Sequence, residues 1–188
     1  MPLCRPQSAL EPTEGIGQDP MITYLEILRA MHESGADYVW IGMNAAGAYG
    51  ATMSSTDFDF FIRPELEHLD RARRAFRKLG MRESWAKATS TNLLAGGVTD
   101  TFSDPDGGPS VDLIVEVSGP TFKEVWRDHQ ILNFQKQPVC IASLRHIVES
   151  KRAANRPKDR YMLKQLKEDL GDKIKERKAA YRVRKRTK

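Results

Sequence analysis

The segment Thr56-Asp57-Phe58-Asp59-Phe60-Phe61-Ile62 constrains this chain more than any other. It is too rich in aromatic and β-branched residues for a loop and reads as a strand. Strand side chains alternate between faces, so Asp57 and Asp59 point one way while Phe58, Phe60 and Ile62 point the other. Two parallel carboxylates repel, and a fold keeps them together mainly where something cationic bridges them. Magnesium is the natural candidate, because it prefers a few carboxylates together with phosphate oxygens and water. The residues also allow a blander reading, an edge strand with a polar outer face.

The remaining elements follow from periodicity and punctuation. Residues 1–18, with Pro2, Pro6, Pro12, Gly15 and Gly17 and no periodicity, read as disordered. Asp19-Pro20 reads as a helix cap ahead of the apolar face Met21, Leu25, Leu28, which Gly35 stops. A buried strand is expected at 37–42, then a turn and a short small-residue helix through Gly50. Arg63-Pro64 opens a helix that keeps its apolar spacing to Leu79. Three or four strands are expected between Met81 and Val117, two of them joined as a hairpin by the turn at 104–108. Pro120 starts a short helix, one more strand is expected from Phe134 to Ile141, and Ser143 caps a helix to about Ala154. Asn155-Arg156-Pro157 breaks that helix, and a last one begins at Pro157.

Charge is unevenly placed. The chain of 188 residues carries a formal net charge of +5, yet residues 172–188 hold nine Lys or Arg against Asp172 and Glu176, a net +7. The body is therefore slightly acidic, and the basic tail, Lys173 to Lys188, reads as a solvated end or as an arm for RNA. No apolar run approaches a membrane span. Two cysteines, Cys4 and Cys140, cannot build a disulfide framework, so a reducing, cytoplasmic setting is expected. His32, His68, His129 and His146 show no metal-ligand spacing and read as surface or helix residues.

Asp112, on the strand that follows the hairpin, shares its face with Glu116. If that strand neighbours the first acidic one, a third carboxylate joins Asp57 and Asp59, enough to hold two metal ions for a phosphoryl transfer; alone, Asp112 could equally be an exposed strand residue. Ahead of these acids, Gly42 lies at a strand-to-helix turn, where backbone N–H groups make an anion site.

With these motifs in order, VWIGMNAAGAYG (39–50), TDFDFF (56–61), VDLIV (111–115) and SLRHIVESKRAANRPKDRYMLKQL (143–166), the chain resembles the nucleotidyltransferase superfamily of polymerase-β-like fold. It is most similar to the small bacterial branch that includes toxins of type IV toxin–antitoxin systems, over roughly residues 20–170. The resemblance implies an α/β fold: a short mixed sheet with helices on one face forming a nucleotidyltransferase core at 19–142, a helical segment at 143–171, and the tail at 172–188. It implies that Asp57, Asp59 and Asp112 are catalytic and bind two Mg²⁺, with Mn²⁺ as a substitute, and that Asp112 helps deprotonate the acceptor. Gly42, Met43 and Asn44 would hold the triphosphate of an NTP, Lys151 would face its phosphates and assist catalysis, and Lys158 and Asp159 would complete a polar cluster. Met43 stands where the family has Gly or Ser; a bulky side chain aimed at the β- and γ-phosphates would narrow their approach, and Asn44 would then lend an amide donor instead. The expected activity is transfer of a nucleoside monophosphate to a hydroxyl, with RNA as the favoured acceptor. The alternatives are an antibiotic as acceptor, or a degenerate nucleotide-binding or antitoxin-partner protein on the same fold.

Overall fold

The computed structural model describes residues 21–52, 55–84 and 99–186, with side chains up to Gly171. The expectations for residues 1–18, for the Asp19-Pro20 cap and for strands near residues 89–97 lie outside these ranges. Residues 21–23 are not helical, however, and the first helix α1, Tyr24–Glu33, begins at a capping box instead. Thr23 accepts from the Glu26 N–H, and Glu26 accepts from the Thr23 N–H at 2.8 Å, so two otherwise orphaned donors are satisfied.

Strand β1, Tyr38–Ile41, runs straight into the six-residue helix α2, Gly42–Gly47. Then come β2, Phe58–Ile62, and helix α3, Leu66–Lys78, followed by β3, Arg82–Glu83, β4, Asp100–Ser103, and β5, Ser110–Ile114. Helix α4, Phe122–Arg127, leads to β6, Gln130–Phe134, and β7, Gln137–Ile141. Helices α5, Leu144–Ala154, and α6, Pro157–Arg186, close the chain. The strands form one mixed sheet in the order β3-β4-β5-β2-β1-β7-β6. β2 is central, antiparallel to β1 and parallel to β5. Such a strand must be apolar on its covered faces, and Phe58, Phe60, Phe61 and Ile62 are all buried.

Alternation along β2 divides the aromatic core between two layers. Phe58 and Phe60 stack in a row that runs on through Phe76 of α3 to Phe102 of β4, with centroids 6.0, 6.1 and 5.7 Å apart in turn. Tyr24 of α1 meets Phe58 edge-on at 5.0 Å, so α1 and α3 cover this face. Phe61 points the other way and meets Phe122 of α4 edge-on at 5.3 Å. Helices thus flank both faces of a seven-stranded mixed sheet, in keeping with the expected α/β fold.

Two boundaries also differ from expectation. The single strand predicted from Phe134 to Ile141 is the hairpin β6–β7, turning at Gln135 and Lys136 with φ of 49° and 69°. Two successive left-handed residues make the type of tight turn that matches strand twist, but neither is the Gly or Asn that advertises it. The last helix does not stop before the basic run: α6 continues unbroken to Arg186. No described helix is long and apolar enough to cross a membrane.

Candidate active site

The parallel pairing of β2 with β5 puts Asp59 directly beside Asp112 in register. Asp57 precedes β2 at the same edge of the sheet, where Ser110 Oγ donates to its Oδ1 at 2.6 Å. The sequence expectation that a later strand brings a third acid beside the first two is met by this register. On the other flank of Asp112, cross-strand partner Thr101 donates to its Oδ1 at 2.6 Å.

Burial and crowding tune these acids. The Asp59 carboxyl is pushed up to about 6, first by burial and then by the Asp112 charge, with Asp57 adding and Lys151 and Lys158 opposing. Asp112 is raised as well, by burial and then by Asp57, against the Thr101 hydrogen bond and Lys158. Both carboxylates therefore stand where added positive charge would be taken up favourably.

Gly42 is fitted against this centre. Its φ is +80°, and a Cβ built there would lie 2.0 Å from Asp59 Oδ2. Only glycine accepts both the left-handed backbone and the carboxylate at that distance. Gly42→Ala is expected to cost about 2 kcal/mol or more and to displace Asp59, which a denaturation curve measures. Met43 is 3% exposed, its side chain turned into the core rather than toward an incoming phosphate. Asn44 is also buried, and its Nδ2 donates to the Asp57 carbonyl at 3.5 Å, so the amide braces the acidic strand instead of standing free for a ligand.

The break at Asn155 is a left-handed cap, φ 48°, that turns the chain from α5 into α6 and folds the first turn of α6 back toward Lys151. Asp159, fully buried, receives Arg156 Nε at 2.6 Å on Oδ2 and the Arg156 terminal nitrogen at 3.2 Å on Oδ1. Lys151 Nζ lies 3.4 Å from the same Oδ1. Burial would raise the Asp159 carboxyl, but the Arg156 hydrogen bonds and the Lys151 charge outweigh it, and it is held below its ordinary value. Asp159 is thus more than an acid favouring a helix dipole; it gathers two cations. Lys158 is exposed beside them. The sequence reading took Arg156 only as part of a helix break, and its position in the Arg-Pro-Lys-Asp run was the available signal.

Four of these groups line a cleft of about 300 Å³, and Asp57, Asp112, Lys158 and Asp159 stand outside its lining. Gly42, Asp59, Lys151 and Arg156 lie on its walls over a floor that includes Phe61 and Ile147. His146, one of the four scattered histidines, also lines it; it is 2% exposed rather than at the surface, with Nδ1 3.3 Å from Ser143 Oγ. Glu116 lies past the end of β5 but still at the cleft.

Among the described residues, no three His, Cys, Asp or Glu side chains converge as a ready ligand set. The pair Asp59 and Asp112 nonetheless offers all-oxygen donors from adjacent strands, raised above their ordinary carboxyl values, and suits a hard divalent cation that takes one or two carboxylates and completes its shell with phosphate and water.

No family model and no curated protein matches this chain. Among solved structures, the antibiotic-resistance factor ANT(2'')-Ia superposes over 87% of this chain and 91% of its own, at 16% identity and a TM-score of 0.52. The two proteins share a fold. An H. pylori protein described as a nucleotidyltransferase is also similar, 18% identical over 68% of this chain and 53% of that one, with a TM-score of 0.37. On this fold, Asp57, Asp59 and Asp112 lie along one edge of two adjacent strands, with Gly42 against Asp59 and the cations of the α5–α6 junction beside them.

Proposed function

We propose that this protein transfers a nucleoside monophosphate from an NTP to a hydroxyl, releasing pyrophosphate, and that it depends on divalent metal. The observation that carries the reading is Asp59, in register with Asp112, lining one cleft together with Lys151 and Arg156, the two cations gathered by the buried Asp159. Magnesium held by Asp57, Asp59 and Asp112 would supply charge neutralisation of the triphosphate. The chain's own groups do the rest. The Gly42 turn lets the backbone approach the phosphates with no side chain between. Lys151 and Arg156, fixed by Asp159, balance the negative charge that builds on the leaving pyrophosphate, and fixed cations need no reorganisation at that moment. Asp112, with one oxygen held by Thr101, accepts the proton of the attacking hydroxyl.

RNA is the favoured acceptor. The body is slightly acidic and would repel a polyanion, while nine cations follow residue 171. An enzyme for a small drug has no use for them. A second reading, an antibiotic acceptor, is supported by the likeness in fold to ANT(2'')-Ia. A relationship to the toxin–antitoxin branch, and an antitoxin partner, rests on the sequence motifs.

The test is incubation with each labelled NTP, Mg²⁺ and cellular RNA, and separately with a panel of hydroxyl-bearing antibiotics. Label in RNA supports the reading; label only in the drug favours the second; no label in either with any NTP, with Mg²⁺ or Mn²⁺, overturns transfer. NTP and Mg²⁺ together, at about 100 times the dissociation constant, are expected to stabilise the fold by about 2.7 kcal/mol, and each alone by far less. Truncation after Gly171 is expected to weaken RNA binding and flatten its salt dependence by roughly 0.7 per lost phosphate contact, with NTP binding unchanged. A truncated chain that labels RNA as well as the full one does removes the tail from the argument.

A further inference from the structure

Helix α3 is basic along its second half, Arg71 to Lys78, and its cations divide into two sets. Arg73 and Arg77 turn to Glu83 of β3, and Arg73 also meets the buried Asp100 at 3.1 Å. Arg71, Arg74 and Lys78 follow one another at helical spacings of three and four, on the flank facing α1. There, with Arg29 of α1, they line a groove of about 470 Å³. Its acids are Glu26 and Glu33, against Arg29, Arg71, Arg74 and Lys78, so the groove keeps an excess of positive charge even with Arg71 paired to Glu67. Arg74 and Lys78 are exposed and form no ion pair among the described residues.

The groove lies on the sheet face opposite α4 and α5, yet one of its ends reaches the catalytic edge. Ile22, just ahead of α1, donates to Asp104 at 2.8 Å, and Tyr24 packs on Phe58, the residue after Asp57. Lys78, at the other helix's end, leads through Gly80 into Arg82, which pairs with Ser103; Ser103 pairs with Ser110, the partner of Asp57. The Glu26–Lys78 end of the groove therefore opens at the edge that carries Asp57 and Asp112.

We propose that this α1–α3 groove is a second contact for single-stranded RNA, taking the sugar–phosphate backbone of the acceptor as it passes over the sheet edge from the acids. The inference rests on the RNA reading above. The stripe from Arg71 to Lys78 is ~10 Å long, enough for its exposed cations Arg74 and Lys78 to touch neighbouring phosphates of one strand. A cationic stripe that contacts phosphates holds RNA without reading its sequence.

The test is binding of a labelled single-stranded RNA oligonucleotide to the full chain, without NTP, across a salt series. Arg74→Glu with Lys78→Glu is expected to weaken binding and to lower the slope of log affinity against log salt by ~1.4, from two contacts at ~0.7 each. The milder Arg74→Ala with Lys78→Ala should give the same slope change if the reversal disturbs folding, which a melting curve checks. An unchanged slope and affinity in both variants overturns the proposal. So does native protein whose groove variants lose binding to polyglutamate but not to RNA, which would make the groove a dock for an acidic protein. A chain that binds RNA through the groove but transfers no nucleotide leaves this contact standing and removes the transfer reading instead.

Discussion

Asp59→Asn is expected to lose transfer activity by ~10²- to 10⁴-fold while unfolding at pH 8 no more easily than the native chain. The two halves of that result have one cause. The native carboxyl is raised to about 6 from 3.8, so ionising it in the folded protein costs more than in the unfolded one. A carboxyl with a raised folded value weakens the fold as pH climbs through the interval between the two values. The penalty is nearly absent below about pH 4 and complete above about pH 6, where it amounts to at most ~3 kcal/mol. Asparagine keeps the shape and removes the charge. The variant should therefore gain about 1–3 kcal/mol over native at pH 8 and little at pH 4, read from urea unfolding at both. If Asp59→Asn is instead less stable at pH 8, or keeps full activity, Asp59 is a structural acid and the metal site is elsewhere.

Asp159→Ala should do the opposite and destabilise the fold. Asp159 is fully buried and bonded to Arg156 twice, with Lys151 3.4 Å away. Lys151 then loses its partner while the exposed Arg156 rehydrates, so the cost is about 1–3 kcal/mol, or a fall in melting temperature of roughly 2–12 °C for a chain of this size. Its folded value is lowered, so its contribution is complete above the unfolded value of 3.8 and is lost as pH falls below it. Asp159→Asn, which keeps the shape, should melt between the two. The freed Lys151 and Arg156 should also weaken NTP binding. An alanine variant that melts with the native chain would mean that Asp159 positions nothing.

The central strand and its acids were legible because they obey period two: Asp57 and Asp59 alternate with Phe58, Phe60 and Ile62, while Phe61 shares the acids' face and is buried under α4. The register that joins Asp59 to Asp112 was not, since it is set by long-range pairing and no residue announces its partner. Gly42 was legible as a turn, but its fit against Asp59 was not, because that contact joins two strands. The β6–β7 hairpin was hidden by Gln135 and Lys136, which adopt left-handed backbone without being the residues that favour it. Arg156 was visible as part of a helix break and Asp159 as part of a polar cluster; their joining with Lys151 depends on the left-handed Asn155 bringing two helices together, a tertiary fact.

Helix α6 has a consequence of scale. Its first turn holds Lys158 and Asp159 at the cleft, and the same unbroken helix carries the chain through the basic run to Arg186. An α-helix rises ~1.5 Å per residue, so the first cation of that run, Lys173, stands ~22 Å along the axis from Lys158. A loose tail could curl back to any acceptor; a helix is a ruler. An RNA gripped by the helix's far half while its end lay at the acids would have to bridge that interval with several nucleotides of single strand. Acceptors shorter than that can occupy the acids or the arm, but not both, and length itself becomes a criterion of selection.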